Sequence, residues 1–140
     1  MPIAQFYLVE GAYADEAVAA LLVEASHFYA ATLYPDMPQP PVDRIRILVI
    51  EVKPQRWATG GKLIDQGGAP APYFVCHSLT GRSRVQLDAL MAGMTELLCR
   101  HLECPLDVVR GRLVTVAPED WWIAGRPAAS ARREEVARRS

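Results

Sequence analysis

Pro2-Ile3-Ala4-Gln5-Phe6-Tyr7-Leu8-Val9-Glu10-Gly11 is answered, seventy residues later, by Pro72-Tyr73-Phe74-Val75-Cys76-His77-Ser78-Leu79-Thr80-Gly81. Each stretch is a proline, an apolar strand-like run and a glycine that ends it. The flanks repeat as well. From about Ala14 to Leu33 the residues Val18, Leu21, Leu22, Ala25, Phe28, Tyr29 and Leu33 fall at three- and four-residue steps, one face of a helix. Leu87, Leu90, Met91, Met94, Leu97, Leu98 and His101 do the same in the second half, behind a capping signal of Ser83 with Gln86 three residues on. Residues 34–41, rich in proline, break the first helix, and Cys104-Pro105 breaks the second. Residues 44–52 and 108–116 read as β-branched strands. Pro54 and Trp57 recur as Pro118 and Trp121 at an offset of sixty-four.

The expected fold class is therefore α/β in its α+β form. Tandem β-α-β units (2–61 and 72–126) form a four-stranded sheet with two helices on one face. Each unit has parallel strands and a right-handed crossover. Residues 62–71 read as a Gly/Pro/Ala linker and 127–140 as a poorly ordered basic tail. Two helices cover only one face of such a sheet, so the other face implies self-association, most simply as a ring.

Composition narrows the function classes. With 140 residues, half of them hydrophobic, the chain has the makings of one domain with a real core. The net charge is −1. Four arginines against two glutamates give 127–140 a local +2, which leaves −3 for the rest. Nothing in that balance favours nucleic acid or a membrane surface. Three cysteines without metal-ligand spacing, and no apolar run near twenty residues, point to a soluble cytoplasmic protein. No cofactor motif is present, so none is expected.

A proline directly after the initiator methionine favours removal of Met1 and leaves a free secondary amine at Pro2. That nitrogen can serve as base, acid or nucleophile with no side chain taking part. The plainer explanation is that Pro2 merely assists processing.

Over residues 2–126 the chain resembles the tautomerase superfamily. Pro2 to Gly11 is similar to that family's opening strand. Arg46-Ile47-Leu48-Val49-Ile50-Glu51-Val52 with Trp57-Ala58-Thr59-Gly60-Gly61 looks like the arginine-bearing strand and aromatic-diglycine turn of 4-oxalocrotonate tautomerase. Gly81-Arg82-Ser83 resembles the family's Gly-Arg-Ser/Thr helix start. The tandem length is similar to the malonate semialdehyde decarboxylase and cis-3-chloroacrylic acid dehalogenase groups. The resemblance implies a small carboxylate substrate, a catalytic Pro2, a homotrimer and no cofactor.

It also implies site residues, each with a plainer alternative. Arg82 would grip the substrate carboxylate through paired hydrogen bonds, or else be a solvated helix-start cation. The first repeat has Ala12 there, and the family's upstream arginine is replaced by Leu79 and Thr80; Arg84 is a possible substitute. Asp43, in Pro40-Pro41-Val42-Asp43-Arg44, looks like the decarboxylase aspartate beside the catalytic proline, or is an ordinary loop-end carboxylate. His27 resembles a histidine of the tandem relatives, though a surface or packing role is commoner for a lone histidine. Arg46 and Arg110, equivalent in the two repeats, are candidate second anion contacts or ion-pair partners. Trp57 and Trp121 are a candidate apolar wall that excludes water, or core packing. Trp122-Ile123 and Arg112 stand where the dehalogenase has its glutamate and tyrosine, which disfavours hydrolytic dehalogenation. The reactions left open are tautomerisation by Pro2 as base, decarboxylation of a β-keto acid by protonated Pro2, and a non-catalytic ring-forming or ligand-binding role.

Overall fold

The computed structural model describes residues 2–131 and 133. In chain order the elements are β1 (Ile3–Val9), α1 (Asp15–Leu33), β2 (Arg46–Val52), β3 (Ala58–Thr59), β4 (Lys62–Leu63), β5 (Tyr73–Leu79), α2 (Arg84–Leu102), β6 (Arg110–Val116), β7 (Trp122–Ile123) and β8 (Arg126–Pro127). The main sheet runs β2-β1-β5-β6. Each half is the expected parallel pair joined through a helix, Ile3 opposite Arg46 and Tyr73 opposite Arg110.

The joint between the halves is antiparallel, with Ala4 opposite Cys76 and Gln5 opposite Val75. Gln5 and Val75 are also equivalent positions of the repeat, seventy residues apart. A pseudo-twofold axis therefore passes through that pair. It places the start of β1 beside the end of β5, and so beside the start of α2. Pro2 thus lies at the same end of the sheet as the Gly81-Arg82-Ser83 turn.

Strand alternation sorts the two faces. Ala4, Phe6, Leu8, Phe74 and Cys76 are buried under the helices with Leu21, Tyr29, Leu33, Leu90, Met94 and Leu98. Phe6 and Phe74 meet edge to face at 6.3 Å, and each contributes on the order of 1.5–3 kcal/mol by its burial. The opposite face carries Gln5, Tyr7, Leu48, Ile50, Tyr73, Val75 and Arg112, with Tyr7 and Tyr73 rings 5.3 Å apart. Leu48 there is 50 % exposed.

Three expectations need correction. The linker at 62–71 is partly regular: Lys62 and Leu63 pair back on Thr59 and Ala58, and a 3-10 turn follows at Ile64–Gln66. A Cβ on Gly68 would sit 2.2 Å from the Lys62 carbonyl oxygen, so only glycine fits. The tail does not begin at 127. Pro127 pairs with Trp122, and Ala128 is fully buried, its N–H donating to the Trp121 carbonyl at 2.6 Å. Residues 132 and 134–140 lie outside the described residues, as does the expected removal of Met1. Lastly, Ser83 caps α2 by accepting from the Gln86 N–H at 3.2 Å, but Gln86 does not complete a reciprocal box. Its side chain donates across to the Thr32 and Leu33 carbonyls at 3.0 and 3.1 Å. Those groups close α1, where the last carbonyls have no partner in their own helix.

Candidate functional site

Pro2 is buried, and its carbonyl accepts the Arg46 N–H at 3.2 Å, the first rung outside β1. One residue on, the Ile3 carbonyl faces the end of β5. His77 Nδ1 lies 3.3 Å from it. The Tyr29 hydroxyl donates a short bond to the His77 carbonyl and lies 3.4 Å from the Ile3 carbonyl. Tyr29 therefore ties α1 to both central strands where their direct pairing stops. Burial pushes its phenol well above the ordinary range; the Cys76 thiol adds to this, and the Arg82 charge opposes it. The helices align at an offset of sixty-nine, Leu33 with Leu102 and Leu21 with Leu90, so the equivalent of Tyr29 is Leu98. The hydroxyl exists only at the Pro2 end.

On the face away from the helices, the half-buried His77 ring lies 6.2 Å from the Trp121 ring, tilted by 36°. Trp121 reaches it because β6 ends beside β5 and the 3-10 turn Pro118–Asp120 folds the chain back. In the sequence His77 is one residue of a strand-like run. A histidine in an otherwise apolar run, at the repeat position of Tyr7, was the available signal.

Arg82 follows Gly81, whose φ of +104° only glycine adopts without strain. That bend turns the Arg82 guanidinium toward α1. Nη1 donates to the Leu33 carbonyl, and the guanidinium carbon stands 4.9 Å from the Tyr34 ring centre. Arg44 stands 5.8 Å from the same ring. A cation at a helix C-terminus complements the partial negative charge of its carbonyls. A cleft of about 600 Å³, lined by residues 32–37, 82–83, 85–86 and 89, opens beside this group. Arg82 thus anchors the end of α1 while its charge acts on Tyr29, whose hydroxyl meets the residue after Pro2.

The other expected site residues divide. Trp121 joins the Pro2 end. Asp43 also lies there, exposed in the turn Val42–Arg44, and its backbone carbonyl accepts from Arg46 Nη1 at 2.7 Å. Arg46 is folded back on its own turn, which accounts for its orientation without a ligand. Arg110 does the same with the Asp107 and Val109 carbonyls at 2.6 and 3.1 Å. It starts β6 opposite Tyr73, so within one chain it belongs to the far end of the sheet. The repeat makes Arg46 and Arg110 equivalent, and the pseudo-twofold separates them. His27 is exposed on α1, and its side chain makes no hydrogen bond or ion pair with the described residues. Arg84 forms an exposed pair with Asp88 at 2.8 Å.

The far end of the sheet is an altered copy of this arrangement. Pro72 is an internal residue with an amide nitrogen, and Ala12 replaces Arg82. A smaller cavity of about 310 Å³ borders Gly11 and Tyr13. The Tyr13 hydroxyl donates to the Pro70 carbonyl at 2.5 Å. Burial, with a smaller effect of Cys104, pushes that phenol up to about 12. Only one end of the duplicated sheet combines a chain-start proline with an arginine.

No protein-family model and no curated protein sequence matches the chain. Solved structures do. The protein Pt0534, in a crystal structure inactivated by 2-oxo-3-pentynoate, superposes with a TM-score of 0.81 at 21% identity, covering 92% of this chain and 98% of that one. A wild-type fused 4-OT described as an asymmetric trimer gives 0.77 at 26% identity, over 94% and 99% of the two chains. A member of the cis-3-chloroacrylic acid dehalogenase family gives 0.68 at 16% identity, over 94% and 89%. With its pseudo-twofold pair of β-α-β units, the chain has the fold of the tautomerase superfamily in its fused form.

Proposed function

We propose that this chain is a cofactor-independent tautomerase or isomerase of small 2-oxo or 2-hydroxy unsaturated carboxylic acids, working as a homotrimer. The observation that supports the reading is the meeting of the Pro2 end of β1 with the Arg82 turn of the other repeat. In this reading Met1 is removed and Pro2 is a secondary amine. Burial and the nearby Arg82 charge disfavour its protonated form, so it acts as a base near neutral pH. Pro2 takes a proton from one carbon of the substrate and returns it to another, shifting the double bond. A guanidinium carries five donors in a planar fork. Its bond to the Leu33 carbonyl holds it at the cleft, where the substrate carboxylate docks against it. Negative charge that develops on the substrate's 2-oxygen is stabilised by the same cation. His77 and Trp121 form the wall on the opposite face and exclude water.

Turnover of phenylenolpyruvate and 2-hydroxymuconate by the trimmed protein tests this. Pro2→Ala removes the ring amine and is expected to cut kcat/KM by about 10²-fold or more, the usual worth of a general base. Arg82→Ala is expected to raise KM by roughly tenfold to a hundredfold, as the loss of a charge-assisted bond costs about 1.5–3 kcal/mol. Unchanged turnover in Pro2→Ala rules the reading out.

Asp43 supports a second reading, decarboxylation of a β-keto acid, because it sits at the Pro2 end. A carboxylate there favours protonated Pro2, which would polarise the substrate carbonyl as an acid. Titration of Pro2 separates the two: a pKa below about 7 fits the base, and one above about 8 the acid.

A further inference from the structure

Cys99 and Cys104 flank the end of α2, and both are partly exposed. Glu103, between Leu102 and Cys104, takes the left-handed conformation with φ +53°. That single reversed residue turns the chain back, and the Cys104 N–H donates to the Cys99 carbonyl at 3.1 Å. Such a six-to-one bond is the mark of a Schellman ending, in which the side chains of the two bonded residues approach each other. Ordinary backbone dimensions then hold the two Cα atoms about 5–6 Å apart, inside the range that a disulfide spans. Cys99 is also the neighbouring group whose presence acts on the Cys104 thiol. The third cysteine, Cys76, is fully buried in the sheet.

We propose that Cys99 and Cys104 form a reversible dithiol–disulfide site, oxidised by small-molecule disulfides of the glutathione type. This is independent of any activity at Pro2. Burial, then the neighbouring Cys99, pushes the Cys104 thiol up to about 11, so Cys104 keeps its proton and Cys99 attacks first. The Cys99 thiolate displaces one thiolate from the incoming disulfide and becomes a mixed disulfide. Cys104 then gives its proton to solvent and attacks the Cys99 sulfur, expelling the second thiolate. Two protein thiols are oxidised by two electrons, and one small disulfide is reduced to two thiols. Tyr13, which lines the smaller cavity and donates to the Pro70 carbonyl, has Cys104 as an electrostatic neighbour.

The experiment is to incubate the native full chain with glutathione disulfide and follow intact mass and peptide maps. The expected product has lost two hydrogens and gives one cross-linked peptide containing Cys99 and Cys104, with Cys76 reduced. Its rate rises from about pH 7 to about pH 9 as more thiolate forms. Cys104→Ser is expected to stop at one glutathione on Cys99, and dithiothreitol restores both forms. The proposal is overturned if the native chain stays fully reduced, if glutathione persists on the unsubstituted protein, or if the bond involves Cys76 or a second chain.

Discussion

Tyr29 shows how one side chain can make the ends of a duplicated sheet unequal. Its hydroxyl is spent on the His77 carbonyl, deep under α1. Replacing it by phenylalanine keeps the ring and leaves that carbonyl without its donor. The expected cost is about 1–3 kcal/mol, read as a lower urea midpoint with an unchanged slope. The equivalent Leu98 shows that the core position itself can be filled without a hydroxyl. At this scale the sequence was only partly legible. The Pro2 amine and Arg82 stand out as residue types in a family-like order. Tyr29 hides in a hydrophobic stripe, and its role depends on where two strands stop pairing. Repeat equivalence pairs Arg110 with Arg46 and says nothing of which end of the sheet each occupies, so the position of Arg110 opposite Tyr73 was not legible.

Helices and long strands were legible because their periods run for many residues. The two-residue strands of β3/β4 and β7/β8 carry no period, so 62–71 and 127 read as linker and tail. The contact between helices was equally hidden. Glu24 on α1 reaches α2, with one carboxylate oxygen on Arg100 and the other 2.5 Å from His101 Nε2. The Arg100 bond, and then the His101 bond, hold the Glu24 carboxyl below its ordinary value of 4.5. A depressed folded-state value means the folded form favours the ionised group. The stabilisation is whole above pH 4.5 and is lost as pH falls through the folded value. Glu24→Gln removes this dependence. Thermal melts are expected to show a shallower fall of Tm with acidification for the variant than for the parent, with the difference between them closing at low pH.

For the whole molecule, the duplicated strands were visible in the sequence, but their antiparallel joint was not, since an offset of seventy residues fits either direction. That joint decides everything about the site, because it gives Pro2 the helix start of the other repeat. The same arrangement leaves one sheet face without helices. Leu48 lies on it, half exposed, beside Ile50, Tyr7 and Tyr73. Burying such a face by self-association would bring on the order of 25 cal/mol for each Å² of apolar area. Leu48→Glu puts a charge on that face at the edge strand β2, and sedimentation velocity is expected to show a shift from trimer to monomer. A parent chain that sediments as a monomer would remove the trimer from the account.

The proposed chemistry requires a reactive amine at Pro2, at the same end of the sheet as the cleft beside Arg82. The most direct measurement is to treat the trimmed protein with 2-oxo-3-pentynoate, a 2-oxo acid whose conjugated alkyne captures nucleophiles, and to map the adduct by peptide mass spectrometry. One equivalent is expected on the Pro2 nitrogen, with much slower labelling in Arg82→Ala. Labelling confined to the cysteines, or none at all with a confirmed Pro2 terminus, would contradict it.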